Sequence, residues 1–521
     1  MNTFVQKFAN IVKGVITGFD RIVFKGSILP LMYEKGVMSF CQSRGILNKE
    51  YKNWMLKQTA KLVDAAEQYA KEECDSRITP IKSSRIRKEE MARQHQRENQ
   101  IQSGLIGIWS AIESCCSYKA RYCTETGFPQ LRGEWTKCKH LYFYYDHEEY
   151  GFMNIRLQTW FPYHIQIALN GREWLRRGLE GEHCEFVAKG NKFLHITDYE
   201  KAQRILDRQL ETRWEPMLNG FLPAVFPAMK EILGPHLSYY WTLWQSEWAT
   251  DLIFPSAYDL NALTESLMRH AFMTGTSTRV LRYLDRPMTK AGKPYASISN
   301  DVSSRLLDFN DGARIRHWVD GNSVKAYNEA NNFRVEMTMN QPGMFKVNRR
   351  AQGESASAPK RRLPLRKGVA DIVLRAQVSQ EINNRFMEQI ATCSHEKPMR
   401  ALFNTVSRPK RKEGRRIRAL DPIGKDCALL QAISDPELSI SGITNKALRE
   451  KLQGKHGYDG RTEKQLSAKV SRQLRLLRDH GLIRKTPRQF KYQLSANGRE
   501  LTSALNALLT ASTQQLMDIA A

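Results

Sequence analysis

The sequence predicts an α+β protein of several domains, an antiparallel-sheet body with helices followed by a C-terminal module of helices and one short hairpin. Three observations carry this. Two blocks in the middle of the chain alternate apolar and polar residues with the period of two that strands require, and turn signals separate their runs. After residue 423, leucines recur at three- and four-residue spacing around two short strand-like runs. The length of 521 residues, 41% of them hydrophobic, is enough for roughly three or four domains with ordinary cores.

Composition divides the chain into four regions. Residues 1–104 read as mostly helical with a basic connector; Gly18 to Ser27 holds a short strand, and 76–104 is an exposed helix or link containing Lys82, Arg85, Arg87, Lys88, Arg93 and Arg97. Residues 105–348 form an aromatic-rich α+β body. Residues 349–422 read as basic linkers and helices, flexible from Arg349 to Arg362 and strongly basic again from Arg408 to Arg418. Residues 423–521 form the C-terminal module.

In the body, Lys139–Tyr145, Phe152–Trp160 and His164–Asn170 read as antiparallel strands, with Pro162 breaking the chain between the last two. Asn170-Gly171 turns into a helix, and strands feeding a helix fit an α+β sheet. The second block is Ala313–Val319, Ser323–Asn328 and Phe333–Asn340. Asp320-Gly321 is a strong hairpin signal and Asn331-Asn332 a second turn. In suitable register this meander aligns Arg314, Arg316, Lys325, Tyr327, Arg334 and Glu336 on one face, basic, polar and aromatic at once. Such a face grips a nucleic-acid backbone and stacks a base. It also meets the minimum for phosphoryl transfer: Tyr327 as nucleophile, Lys325 beside it, the arginines as clamps, and Glu336 as base or Mg²⁺ ligand. The plainer reading of Tyr327 and Glu336 is cross-strand packing and a salt bridge. Asp20, Asp146, Glu247 and Asp251 are further carboxylates for a metal, but their spacing selects none, so the metal site stays unknown. The aromatic run Tyr239 to Trp248 places Trp241, Trp244 and Trp248 on one face at helical spacing and predicts a buried helix.

The C-terminal module opens with a helix from Asp426 to Ile433. Thr444 is an N-cap for a second helix, Asn445 to Leu452. A long helix follows Thr462, keeps Leu466, Val470, Leu474 and Leu477 on one face, and ends at His480-Gly481. Two short strands, Leu482–Lys485 and Phe490–Leu494, flank Thr486 to Gln489, and a closing helix carries Leu501, Leu505 and Leu508. This order is that of a winged helix-turn-helix, and it resembles the MarR-like winged-helix family over about a sixth of the chain. The resemblance implies nucleic-acid binding, with the long helix in a major groove and the hairpin as wing. The residues placed for contact are Arg461, Lys464, Lys469, Arg472 and Arg475 on the helix and Arg484, Lys485 and Arg488 on the wing. Lys410, Arg411, Lys412, Arg415 and Arg416 of the preceding basic run join them.

The body, through Gly18-Phe19-Asp20-Arg21, Leu157-Gln158-Thr159-Trp160-Phe161-Pro162 and Asn322-Ser323-Val324-Lys325-Ala326-Tyr327, resembles a large group of bacterial proteins of unassigned activity, mobile-element-like in character. The pair Lys325-x-Tyr327 and Arg334-x-Glu336 is similar to a segment of rolling-circle replication initiators. Those enzymes use a metal-binding His-hydrophobic-His pair, and His164-Ile165-Gln166 lacks the second histidine.

Bulk properties agree. With 80 Lys+Arg against 54 Asp+Glu, a net charge of +26, the chain favours a polyanionic partner. DNA is the first expectation and RNA the second; a homodimer is left open. No apolar run spans a membrane and the N-terminus is too polar for a secretory signal, so a cytoplasmic, nucleoid-associated protein is expected. Nine cysteines, with Cys115-Cys116 adjacent, suit reduced thiols. Cys115, Cys116, Cys123, Cys138, His140 and Cys184 lack paired zinc-ligand spacing and are expected to be buried structural residues. Neither GxxxxGK[ST], GxGxxG nor GxSxG occurs. The reading that results is a nucleic-acid-binding protein of mobile-element type, a recombinase, nuclease or replication initiator targeted by a winged helix, with Mg²⁺ as cofactor if it is a nuclease. The alternative is a MarR-like transcriptional regulator with a large sensing or dimerisation body.

Overall fold

The computed structural model describes residues 3–82, 86–286, 289, 302–309, 312–355, 357–391, 399–412, 414–435, 437–438, 442–486 and 489–513. The chain forms two compact units. One comprises Phe8–Ala262 and Leu307–Asn384; the other comprises Met1–Lys7, Leu263–Leu306 and Arg385–Ala521. Helix and strand are both abundant, as an α+β class requires.

A large mixed sheet organises the first unit. Its strands are β1 (Gly14–Ser27), β2 (Thr79–Pro80), β3 (Gly104–Cys123), β4 (Phe128–His147), β5 (Gly151–Gln158), β6 (Ile165–Asn170), β9 (Tyr240–Ile253), β11 (Gly312–Val319), β12 (Asn322–Glu329) and β13 (Asn332–Met339), while β7 (Phe186–Lys189) and β8 (Lys192–Ile196) form a separate hairpin. Including β10 (Ser303–Phe309), the spatial order is β10-β11-β12-β13-β9-β1-β6-β5-β4-β3-β2. Both strand blocks expected in the body therefore lie in one sheet, joined by β1 and β9. From β11 to β3 neighbours are antiparallel, and β2 is parallel to β3. Asp320 and Gly321 both take positive φ, the backbone that a two-residue hairpin turn demands.

Alternation fixes the two faces. Ile165, Ile167 and Leu169 of β6, Ile155 and Leu157 of β5, and Ile22 and Phe24 of β1 are buried in the main core with helices Tyr51–Cys74, Gly171–Gly181 and Tyr199–Glu211. Their alternates, such as Gln166, Asn170 and Asn154, point to the opposite face. On that face helix Lys88–Glu98 buries Ala92 in a small cluster with Ile106, Trp109, Tyr142, Tyr144 and Phe152.

Several expectations change. Gly14–Ser27 is a fourteen-residue central strand rather than a short insertion in a helical region, and Gly104–His147 is one long hairpin that begins well before Lys139. The run Tyr239 to Trp248 is not a helix: it enters β9. An irregularity in the β1 pairing lets Trp241 and Leu243, then Ser246 and Trp248, be buried, and leaves Trp244 43% exposed. Aromatic residues fit a half-buried pleated surface, and pairing on both edges overrides the helical spacing. The basic stretch after Arg349 is closed by a pairing of Lys346–Arg349 with Arg361–Pro364. Cys115 and Cys138 form a disulfide, which corrects the expectation of reduced thiols at that pair. Their partnership comes from the pairing of two strands, so no local spacing signals it.

In the other unit, helices Cys427–Ile433, Asn445–Leu452 and Glu463–Asp479 precede an antiparallel pair, Ile483–Lys485 with Tyr492–Leu494, and helix Ala496–Thr510. Leu429, Leu430, Leu448, Val470, Leu474, Leu477, Leu501 and Leu505 share its core. Thr444 caps its helix by accepting from Ala447 N, and Thr462 and Gln465 form a capping box. Thr462→Ala is expected to lower the stability of this unit by about 1 kcal/mol in denaturant titration of the full chain. Ser439 to Ser441 of the polar break, and Pro487 and Arg488 between the last two strands, lie outside the described residues. Among the described residues, no helix is long and apolar enough to cross a membrane.

Candidate active site

The polar face of the sheet gathers charge where β1, β9, β13 and β12 run side by side. Lys325 of β12 opposes Glu336 of β13, and Tyr327 opposes Arg334. On the outer side Arg316 opposes Lys325 and Arg314 opposes Tyr327. On the inner side Arg334 opposes Asp251 of β9. All six meander residues proposed from alternation thus share one face. In β1, Phe19 faces Trp248 and Arg21 faces Glu247, so Asp20 is the extra residue of a bulge. A bulge re-aims a side chain, and here it turns Asp20 towards the charged row.

Arg334 holds the centre. It is 1% exposed, binds both oxygens of Asp251, and donates to Asp20 Oδ1 at 2.8 Å and to the carbonyl of Asn191. Arg172, near the start of helix Gly171–Gly181, reaches Asp251 at 2.9 Å and the Ala249 carbonyl at 3.2 Å. That helix is brought against β1 by a glycine: a Cβ on Gly171 would lie 1.9 Å from the carbonyl oxygen of Phe19. Burial pushes the Asp20 carboxyl upward, but the Arg334 and Arg172 guanidiniums more than offset it and hold it below the usual carboxylate range. Arg334, expected from the sequence to grip a phosphate, faces inward instead and organises these carboxylates.

Beside this pair, one carboxylate oxygen each from Asp20, Glu247 and Glu336 lie within 4.8 Å of one another. Glu336 is fully buried; Lys325 Nζ meets its Oε1 at 2.7 Å and the Tyr327 hydroxyl donates to its Oε2 at 3.1 Å. Burial, with opposing contributions from Lys325 and from the Asp20 and Glu247 carboxylates, moves Glu336 up to about 7. Burial also raises the Tyr327 phenol well above its ordinary value, so it is neutral at rest. Lys192 Nζ and Lys325 Nζ lie 5.4 and 5.5 Å from the centre of the Tyr327 ring. A polar cleft of about 220 Å³ opens beside Asp20 and Glu247, lined also by Arg21, Arg93, Asn154, Asn170 and Asn191.

Three hard oxygen donors converging next to a water-accessible cleft are the ligand chemistry of Mg²⁺ or Mn²⁺. Protons compete for Glu336, so divalent-cation affinity is expected to rise with pH up to about 7 and to level off above it. Titrations of the metal-free chain by calorimetry at several pH values check this; Asp251, Arg172, Arg334 and Lys325 are the other charges facing the group. Asp146 takes no part: it is held by Gln96 and Arg177. Sequence alternation found Lys325, Tyr327 and Glu336, whereas Asp20, Glu247, Asp251 and Arg172 are placed by a bulge and by strand pairing. Their one local signal is a charge within an apolar strand, as in Phe19-Asp20-Arg21-Ile22.

The second unit carries a separate basic surface. Lys410–Lys412 pairs with Arg415–Ile417, and a cavity of about 350 Å³ is lined by Arg415, Arg416, Arg418, Arg472, Arg475 and Arg478, with Asp479 as its acidic member. Two basic groups far apart in sequence thereby meet. Arg461, Lys464, Arg484, Lys485, Lys410 and Arg411 are exposed, whereas Lys469 donates to the Gly457 carbonyl and lies 4.2 Å over the Tyr458 ring. Phe490 is 92% exposed beside Lys485. The Lys412 side chain and Arg488 fall outside the described residues. Comparison with protein families, curated proteins and solved structures finds no match.

Proposed function

We propose that this chain is a nucleic-acid-processing protein of mobile-element type, in which a MarR-like winged helix targets DNA and the sheet face transfers a phosphoryl group. The observation that carries the reading is the Tyr327 hydroxyl bonded to Glu336, whose other oxygen meets Lys325 beside the Asp20–Glu247–Glu336 carboxylates. A nucleophile within reach of a base is the minimum geometry of covalent catalysis. The phenol proton passes to Glu336, the Tyr327 oxygen forms a bond to phosphorus, and the bond from phosphorus to the departing sugar oxygen breaks. Lys325 or solvent protonates that oxygen. Asp20, Glu247 and Glu336 would hold Mg²⁺, which when bound would supply charge neutralisation on the phosphate. Arg334 and Arg172 keep Asp20 ionised and fixed in place.

The winged-helix reading rests on the element order and the arginine-lined cavity. Arginines in that number match phosphate oxygens, and the exposed wing strands suit an adjacent groove. Affinity for duplex DNA is therefore expected to fall steeply with salt, because bound phosphates release counterions. Replacing Arg472 and Arg475 together by Ala is expected to flatten preference among sequences by about 1–3 kcal/mol per lost base contact, read by competition binding. Binding that ignores salt, or a silent double variant, would leave this unit as a protein-contact module. DNA binding with full sequence preference but no strand cleavage would instead favour the regulator.

A further inference from the structure

The β3–β4 hairpin holds a second set of metal-ligating groups, remote in chemistry from the carboxylates. In its register Glu113 opposes Cys138, Cys115 opposes Thr136 and Ala111 opposes His140. Cys138 and His140 are therefore successive residues on one face of β4, and Cys115 lies diagonally across from Cys138 on the same face. All three are buried, at 6%, 4% and 1% exposure for Cys115, Cys138 and His140. Their ligand atoms lie within 4.8 Å of one another. The His140 Nδ1 sits 3.1 Å from the Cys138 carbonyl oxygen. A carbonyl accepts only, so Nδ1 carries the proton and Nε2 keeps its lone pair, the tautomer in which a histidine binds a metal.

We propose that Cys115, Cys138 and His140 form a redox-gated zinc site, closed while the cysteines are joined and open once they are reduced. A dithiol or two monothiols supply two electrons and two protons; the Sγ–Sγ bond breaks, two thiols form, and the reductant leaves as its own disulfide. Zn²⁺ then displaces both thiol protons to solvent. Two thiolates, one neutral imidazole and one Zn²⁺ sum to zero charge, and that neutrality is what makes the complex tolerable at a buried position. Sulfur and imidazole donors select Zn²⁺ over Mg²⁺, so this site and the carboxylate set differ in the ion they hold. A fourth position remains for water or an incoming ligand. In the sequence only Cys138-Lys139-His140 hints at it, because Cys115 comes from the paired strand.

The test uses the full chain, reduced under argon and freed of metal, with excess Mg²⁺ present to occupy the carboxylates. Titration with Co²⁺ is expected to give thiolate-to-cobalt charge-transfer absorption and tetrahedral visible bands, which Zn²⁺ abolishes. The oxidised chain is expected to give neither. Cys138→Ser is expected to remove the charge-transfer band, and His140→Ala to weaken Zn²⁺ binding by roughly tenfold or more. In the unmutated chain, Zn²⁺ is expected to protect Cys115 and Cys138 from alkylation, read by peptide mass spectrometry, independently of how any variant folds. A reduced chain with no charge-transfer band, or Zn²⁺ that leaves both cysteines as reactive as before, would overturn the proposal.

Discussion

Replacing Arg334 by Met is expected to be the most destabilising single change in the sheet-bearing unit, at about 3–5 kcal/mol. The guanidinium is buried, binds both oxygens of Asp251 and reaches Asp20. Methionine of similar volume fills the space but leaves the two buried carboxylates with Arg172 in contact and Lys325 as the other nearby cation. The penalty is the uncompensated charge more than the lost attraction. A double-mutant cycle separates the two: adding Asp251→Asn is expected to recover part of the loss, because it removes one of the stranded charges. Denaturant unfolding of the full chain, followed by tryptophan fluorescence and circular dichroism, gives both numbers. A loss under about 1 kcal/mol would mean that the cluster is wetter and weaker than its burial implies.

Tyr327→Phe is expected to abolish strand cleavage while leaving nucleic-acid affinity nearly unchanged, since only the hydroxyl that donates to Glu336 is lost. Glu336→Gln keeps the shape but removes the proposed proton acceptor and metal ligand, and turnover is expected to fall by roughly 10²–10⁴-fold. Lys325→Ala is expected to weaken binding and turnover together, because the ammonium group serves both the ground state and the developing charge. Gel assays with labelled single- and double-stranded DNA, with Mg²⁺ varied, distinguish the three. A phenylalanine variant with full cleavage would return Tyr327 to cross-strand packing.

What could be read in the sequence follows from what alternation and turn chemistry can encode. Asp320-Gly321 and the period of two put Lys325, Tyr327, Arg334 and Glu336 on one face before any coordinates, because hairpin register follows from turn length. The cap at Thr444 was equally legible, since a helix end is satisfied by its own neighbours. Asp20, Glu247 and Asp251 were not selectable: they sit on β1 and β9, strands whose places beside β13 depend on pairings across hundreds of residues. The burial of Arg334 was missed for the same reason, because its acidic partners come from other strands. Trp244 misled through helical spacing that two-sided strand pairing overrides. Cys115 and Cys138 were invisible as a pair because their proximity arises from a long hairpin rather than from a local motif.

The most direct test of the central claim is a search for a covalent intermediate. The full chain is incubated with a pool of single-stranded DNA and Mg²⁺, denatured, digested with protease and nuclease, and its peptides are examined by mass spectrometry. The account predicts a nucleotide attached through phosphate to Tyr327, absent when Mg²⁺ is chelated and absent from Tyr327→Phe. A chain that binds DNA through its basic C-terminal surface, yet neither cleaves nor becomes linked to DNA or RNA with Mg²⁺ or Mn²⁺, would contradict it.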